Sequence, residues 1–572
     1  MRRRKVWQAF PERLELVQQM SSHHDLPPLI ARLLLNRGLL DPGEILAFLD
    51  PTLERLTSPF DLPDLDAAAT RLARAVRQGQ PLVVYGDYDA DGLTASCLLT
   101  QFFQELGLPC VTYVPDRLTE GYGLNLPALE KLAAQARLLV TVDCGVSDLK
   151  EVAWARDHGL EVIVTDHHEL PPQLPPALAV VNPKRGGEAY PFEMLSGVGV
   201  ALLLALGVRA RLREEGWFKN HPEPNLRSYL DLVALGTAAD VVPVLGENRI
   251  LVHQGLKVLA GTKRPGLLAL KEVAGMNGKT VTFRDLCFRL APRLNAAGRL
   301  GQALGALHLL LATDISQART QARILNELNR RRQSLEGEVL AQAKSMIRQQ
   351  GLDQRPVMVL GGEGWHPGVI GIVAARLAEE FHRPVALVSL KEGLGKGSAR
   401  SIEGYHLFQG LAACRQYFLK FGGHEAAAGF VIPEENLTAL QTDLEETFLA
   451  QTGAARLRPT LKVDAAVAKV RIATSETYTD KAGAKQERTE WHRITAWGKL
   501  AEICGQYLAK GKMVYIEGKI RSDTWEQDGV KRYSYEIVAD QMRMLGGGRG
   551  EREAEAPFAP PEGGVPEDDI PF

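Results

Sequence analysis

The sequence predicts an α/β protein. Two lobes, a parallel-sheet domain and a smaller second one, are joined by a long helix and followed by a β module and an acidic tail. Three observations carry that expectation. Short apolar runs at 81–85, 137–142 and 161–165 alternate with amphipathic segments, as strands buried on both faces of a parallel sheet do. A proline-free stretch with helical periodicity occupies 314–350. From 459 the pattern changes to alternating strands rich in Thr, Tyr and Trp.

Taken in order, residues 1–65 hold a helical run at 30–35 and a Pro/Asp-rich exit at 59–64, and read as an N-terminal accessory segment. Residues 66–313 form the parallel-sheet domain. At 314–350, Asp314 followed by Gln317 reads as a helix N-cap box, and Leu325, Leu328, Arg332, Leu335 and Val339 keep the spacing of one helical face. That helix would reach ~55 Å at ~1.5 Å per residue, enough to join two lobes. Residues 351–457 return to α/β, with strands at 357–360 and 385–389. Residues 459–545 carry a hairpin signal at 526–529. Residues 546–572, rich in Gly, Pro and Glu, have little to bury and read as disordered.

At 572 residues the chain is too long for one core, since single cores stop growing near ~250–300 residues. With 45% hydrophobic and 24% charged residues, wholesale disorder and fibrous classes are excluded. The net charge of −2 gives no global steering, so any nucleic-acid contact must come from local basic patches. The opening Met-Arg-Arg-Arg-Lys precedes no apolar h-region, and the longest apolar stretch, within 193–209, is too short to span a bilayer. Six cysteines form no CxxC pair, which argues against a zinc ribbon or disulfide framework and for a reducing compartment. A soluble, cytoplasmic protein with no membrane partner is expected.

The chemistry lies at the ends of the apolar runs. Asp87, Asp89 and Asp91 alternate directly after the first. Asp143 ends the second, Asp166-His167-His168 the third, and Asp240 closes another at 232–236. Ligands of open α/β sheets sit beyond the carboxyl ends of the strands. A mixed carboxylate and imidazole set there suits two divalent cations, Mn2+ or Mg2+, which together can activate water and stabilise a leaving oxygen in phosphoester hydrolysis. An acidic turn by itself is as often a solvated loop; four such clusters in one architecture argue for the metal reading.

The motifs DYDADG (87–92), VDCG (142–145), TDHH (165–168) and GTAADVVP (236–243), in this order, resemble those of the DHH phosphoesterases, and among them the RecJ family of single-strand-specific exonucleases. The likeness continues through PDRLTEGYG (115–123), LSGVG (195–199), PRLNAAGR (292–299), GWHPGVIG (364–371), GSAR (397–400) and FGGHEAAAG (421–429), and covers roughly residues 1–463. It implies a 5′→3′ exonuclease acting on single-stranded DNA in repair and recombination, with its site between a DHH lobe and a DHHA1 lobe. It also implies metal ligation and catalysis by Asp89, Asp91, Asp143, His167, His168 and Asp240, with Asp87 an additional member. Ser398, Arg400 and His424 can donate hydrogen bonds to phosphate, Asn295 and Arg299 suit phosphate capture, and Arg117 and Tyr122 would grip or stack on the strand. A small-substrate DHH phosphatase and a non-catalytic strand-binding relative stay open as alternatives.

Beyond residue 464 the chain resembles instead bacterial single-stranded-DNA-binding protein, SSB, through 466–476, 489–493, 497–504, 510–518 and 536–540. The resemblance implies a partial OB-like β module, because the match enters after that family's opening strand and leaves a barrel edge exposed; either residues 461–467 fill the gap or the module is only partly folded. Tyr478, Trp491, Trp497 and Trp525 match base-stacking positions of that family, against the plainer reading of core packing. The final Asp568, Asp569, Ile570, Pro571 and Phe572 match its acidic tip, which implies docking of a RecQ-type helicase or other repair proteins.

Overall fold

The structure, a computed structural model, describes residues 6–11, 13–185, 187, 189–453, 457–464, 467–479, 485–527 and 530–545. They divide into two compact units: residues 41–457, and residues 6–40 together with 458–545. The stretch that reads as one N-terminal accessory segment therefore divides at Leu40. Strand β1 (Val6–Ala9) belongs to the second unit.

In the first unit, β2 (Leu82–Gly86), β3 (Cys110–Tyr113), β4 (Leu138–Val142), β5 (Glu161–Thr165) and β6 (Ala179–Val181) form a parallel sheet in the order β3-β2-β4-β5-β6. Side-chain alternation sorts the strands between two cores. Leu82, Val84, Leu138, Val140 and Ile163 pack on one face with the helices Ala90–Glu105 and Gly197–Glu214, while Val83, Tyr85, Leu139, Val162 and Val164 pack on the other. Both faces are covered, which is why the runs are continuously apolar. Strand order reverses beside β2, so the loops leaving β2 and β4 flank the crevice where open α/β sheets bind ligands.

The helix Ile315–Gln349 begins at Asp314, whose carboxylate accepts from the backbone N–H groups of Ser316 and Gln317. Its Leu325 and Leu328 belong to the core of the parallel-sheet lobe, and its Val339, Ala343 and Ile347 to that of the next lobe. That lobe holds β7 (Met358–Glu363), β8 (Val385–Lys391), β9 (Leu394–Arg400), β10 (Lys420–Gly423) and β11 (Ala427–Pro433) in the order β10-β11-β9-β8-β7. Only β7 and β8 run parallel.

One expectation is corrected. The apolar run before Asp240 is no strand but the helix Leu230–Ala239. It is buried from Leu230 to Ala238, and a helix apolar on every side shows no 3.6-residue period to separate it from a buried strand.

In the second unit β12 (Thr460–Val463) pairs in parallel with β1. Asn36, at the end of the helix Pro28–Asn36, donates from Nδ2 to Asp464 Oδ1 at 3.0 Å. Strands β13 (Val467–Thr479), β14 (Lys485–Trp497), β15 (Val514–Gln527) and β16 (Val530–Met544) form a sheet in the order β13-β14-β16-β15. The expected hairpin is present, with Gln527 opposite Val530. The core is small: Ile494, Ala496, Ala501, Cys504 and Ala539. Residues 460–463 are engaged with β1, so they do not fill the missing barrel position, and β13 and β15 stand as edges among the described strands.

Deleting residues 1–40 removes the partner of β12 and the donor to Asp464. Limited proteolysis of that variant is expected to cut within 458–545 faster than in the full chain while 41–457 stays protected, because local opening follows lost pairing. Equal protection of 458–545 would contradict the shared unit.

Candidate active site

Beyond β2 the chain passes through Asp87 and Tyr88 into the helix Ala90–Glu105. Asp89 caps this helix, its Oδ1 accepting from the N–H of Asp91 and of Gly92. Asp91, in the first turn, is fully buried. Its Oδ2 accepts from Gly197 N at 2.6 Å and its Oδ1 from Val198 N at 2.9 Å, so it also satisfies the start of the helix Gly197–Glu214. Asp143, after β4, has φ 62°, a strained backbone for a residue with a side chain. Gly197 makes room for it: a Cβ there would lie 2.6 Å from Asp143 Oδ1. Asp240 is the C-cap of the helix Leu230–Ala239.

β5 delivers Asp166, His167 and His168. Asp166 Oδ1 accepts from His167 N and His168 N and lies 2.7 Å from His168 Nδ1, while Oδ2 accepts from Val146 N. The Asp166 carboxylate thus holds His168 by its Nδ1, as a carboxylate orients a ligating imidazole. The Tyr122 hydroxyl is bonded to Asp143 O at 3.2 Å and lies 3.1 Å from His168 Nδ1.

These side chains converge. Ligand atoms of Asp143, His167 and His168 lie within 4.8 Å of one another, as do those of Asp91, His167 and Asp240, and those of Asp87, Asp89 and Asp143. His167 Nε2 stands 3.0 Å from Asp143 Oδ1 and 3.6 Å from Asp240 Oδ2, yet without hydrogen-bond alignment. Asp87 Oδ1, Asp143 Oδ1, His167 Nε2 and Asp240 Oδ2 are all buried polar atoms with no hydrogen-bond partner. Buried polar atoms are rarely left unsatisfied, and these four belong to residues of the three overlapping groups, a donor set that fits hard divalent cations.

The electrostatics agree. Burial first, and neighbouring carboxylates second, hold Asp87, Asp143 and Asp240 well above the usual carboxylate range and push Asp91 up to about 7. Burial would raise Asp166 too, but its bond to His168 brings it down to about 2. Burial opposes charge on His168, yet Asp166 outweighs it and raises that imidazole to about 9. Burial, then the charge of His168, lowers His167 to about 3, leaving it neutral.

A cavity of about 340 Å³ opens over the cluster, lined by Asp87, Asp89, His168 and Asp240 and by Arg117, Tyr122, Asn295, Arg299 and Arg332. Burial and then the charges of Arg117, Arg332 and Arg400 bring Arg299 down to about 9, so four guanidiniums press on one region. Asn295 has a further task that its motif does not reveal: its Oδ1 accepts from Ala90 N at 2.8 Å and braces the helix behind Asp89. Arg400 donates from NH1 to Ser398 Oγ at 3.0 Å on β9, and His424 follows β10. These three are not on the cavity wall, although Arg400 lies within electrostatic reach of Arg117 and His424. Helical spacing alone puts Arg332 in an apolar stripe; a cation among leucines is the signal of its role as wall.

In the second unit, Trp491 is 68% exposed and Trp497 half-buried. The register sets Ala473 opposite Trp491, Arg471 opposite Arg493 and Lys469 opposite Thr495, so Trp491 and Trp497 share a face with three cations. Tyr478, 51% exposed, pairs with Gln486, which places it on the other face of the ribbon; the aromatic positions do not make a single platform. The side chain of Trp525 and the tip 568–572 lie outside the described residues.

Residues 81–237 match the DHH family N-terminal domain, 354–450 the DHHA1 domain and 452–545 the single-strand binding protein family. The chain is similar to the single-stranded-DNA-specific exonuclease RecJ of Haemophilus influenzae, 42% identical over 431 residues that cover 73% of this chain and 74% of the relative. The corresponding protein of Bacillus subtilis is 39% identical over 433 residues, which are 75% of this chain but only 53% of that relative, so the chain spans about half its length. In structure it is similar to RecJ of Thermus thermophilus in complex with Mn2+, with a TM-score of 0.70 and 29% identity, covering 97% of this chain and 81% of that one.

To act as ligands, His168 and Asp91 must lose protons that the metal-free site holds up to about 9 and about 7. Binding of Mn2+ is expected to release protons and to tighten as the pH rises from below 7 to 9. Calorimetry in two buffers of different ionisation enthalpy reads both effects; an affinity flat with pH would contradict them.

Proposed function

The chain belongs to the RecJ family of single-stranded-DNA-specific exonucleases, and from that premise and the geometry of its cleft we propose that it hydrolyses single-stranded DNA from the 5′ end with two divalent cations. The observation that carries the reading is the set of four unpartnered buried polar atoms at one crevice, ringed by carboxylates. Asp87, Asp89, Asp91, Asp143, His167, His168 and Asp240 would hold two Mn2+ or Mg2+ ions, which when bound supply water activation and charge neutralisation at phosphorus.

The chain's own groups do the rest. Asp166 fixes the orientation of His168 through its Nδ1, and Tyr122 ties its loop to Asp143 and His168. Arg117 and Arg299, with Arg400, Ser398 and His424 of the second lobe, bind and orient phosphate. Low solvent access around Asp91 and Asp143 strengthens each of these interactions. In the single-strand binding module, the like-charged pair Arg471 and Arg493 beside Trp491 is unfavourable until an anion arrives, which supports a backbone track next to a stacking ring. The tip 568–572, by its likeness to the SSB acidic tip, serves as a docking peptide for repair proteins such as a RecQ-type helicase. No helix among the described residues is long and apolar enough to cross a membrane, and we place the activity in the cytoplasm.

Replacing a ligand should separate chemistry from stability. Asp143→Asn is expected to lower hydrolysis of 5′-labelled long strands by orders of magnitude while raising the metal-free Tm by a few degrees, since one of the mutually repelling carboxylates is removed. Near-normal turnover at saturating Mn2+ would sink the assignment, and cleavage confined to very short oligomers would favour a small-substrate phosphatase.

Trp491→Ala is expected to weaken binding of long oligo(dT) by the ~1–3 kcal/mol of one stacked base and to reduce the quenching of tryptophan fluorescence. An unchanged affinity would remove the stacking role.

A further inference from the structure

Arg332 lies in the buried stripe of the helix Ile315–Gln349, in a polar island with Asn329 and Glu336 between the apolar Leu328 and Val339. It is 5% exposed, and a charge so placed is strongly unfavourable unless something requires it. Its surroundings show the requirement. Arg332 forms part of the cavity wall together with Arg299 and Arg117, and its charge adds to the repulsion that depresses Arg299. Cations crowded at one wall raise the energy of the empty cleft, and a phosphate entering it relieves that repulsion.

The guanidinium is also held with unusual completeness. Arg332 NH1 donates to Glu336 Oε2 at 2.6 Å and NH2 to Asn329 Oδ1 at 2.8 Å. Glu336 is 1% exposed, and its other oxygen lies 2.8 Å from Nε of Arg376, an ion-pair distance, on the helix Ile370–Phe381 of the second lobe. One carboxylate thus sits between two arginines contributed by the connecting helix and by the second lobe. A plain i,i+4 ion pair on a helix surface would leave its arginine free to sample rotamers; this one does not.

We propose that Arg332 is a further phosphate-contacting residue of the cleft and that Glu336 is the positioning residue that holds it there, itself fixed by Arg376. The proposal rests on the strand-hydrolysing reading of the cleft. The competing account is a structural ion pair that only fastens the helix Ile370–Phe381 to the connecting helix.

Steady-state hydrolysis of a short 5′-labelled single strand in Mn2+, at several salt concentrations, separates the two accounts. Arg332→Gln is expected to raise KM roughly tenfold or more, the effect of losing one charged hydrogen bond, with a smaller change in kcat. It should also flatten the salt dependence of log(1/KM) by about 0.7, as loss of one single-strand phosphate contact does. Arg332→Lys should keep the wild-type slope. Glu336→Gln should reproduce the loss in weaker form, Glu336→Asp should recover part of it, and Glu336→Gln added to Arg332→Gln should cost nothing more, because nothing is left to position. The rise in Tm on adding Mn2+, preserved in every variant, reports an intact fold. A wild-type salt slope in Arg332→Gln, or additive losses in the double variant, would overturn the proposal in favour of the structural pair. If the wild-type chain failed to hydrolyse the strand, the hydrolytic reading would fall, while the same slopes taken from equilibrium binding would still decide the Arg332 contact.

Discussion

Mutual repulsion among carboxylates withdrawn from water is the constraint on which the catalytic unit depends. Asp87, Asp91, Asp143 and Asp240 are each pushed towards protonation by burial and by one another, and such a cluster unfolds or protonates unless the scaffold imposes it. The scaffold does so with backbone. Asp89 and Asp91 are fastened to the starts of two helices by N–H donors, Asp143 is accommodated in a left-handed conformation against a glycine, and Asp166 neutralises part of the charge through His168. Each anchor is rigid only because the parallel sheet and its two cores lie behind it. The apolar interior therefore does more than stabilise: it keeps the acids close enough for a cation to be the favourable way out.

The arginine wall is the same constraint with its sign reversed. Arg117, Arg299, Arg332 and Arg400 press on one another as the acids do, and they come from the parallel-sheet lobe, the connecting helix and the second lobe. Of these, Arg117, Arg299 and Arg332 face the same cavity as Asp87, Asp89 and Asp240. Divalent cations would relieve the acids and a phosphate-bearing strand would relieve the arginines, so the site is electrostatically incomplete without both.

Legibility in the sequence follows from how each residue is placed. Asp87, Asp89, Asp91, Asp143, His167 and His168 stand at the ends of strands buried on both faces, so the apolar runs advertise them. Asp240 is equally visible, but its element is not, because the helix before it is buried all round and carries no period. Arg332 is hidden by keeping helical spacing with its leucine neighbours, and Asn295 shows its motif but not its bond to Ala90 N. The separation of Tyr478 from Trp491 depends on strand register, which composition does not encode. The pairing of β1 with β12 joins residues at opposite ends of the chain, and no local pattern announces a contact of that sequence separation.

That last pairing has a consequence for biosynthesis. β1 leaves the ribosome before its partner strand, which follows only after the whole catalytic unit of about 400 residues, an interval of roughly 20–80 s at the ~5–20 residues per second of translation. During that interval the N-terminal strand has no β12 to pair with, and its Trp7, 60% exposed even in the finished fold, is open to the wrong neighbours. The residues directly before it are Arg2, Arg3, Arg4 and Lys5. Consecutive positive charges beside an unpaired apolar strand discourage edge-to-edge association.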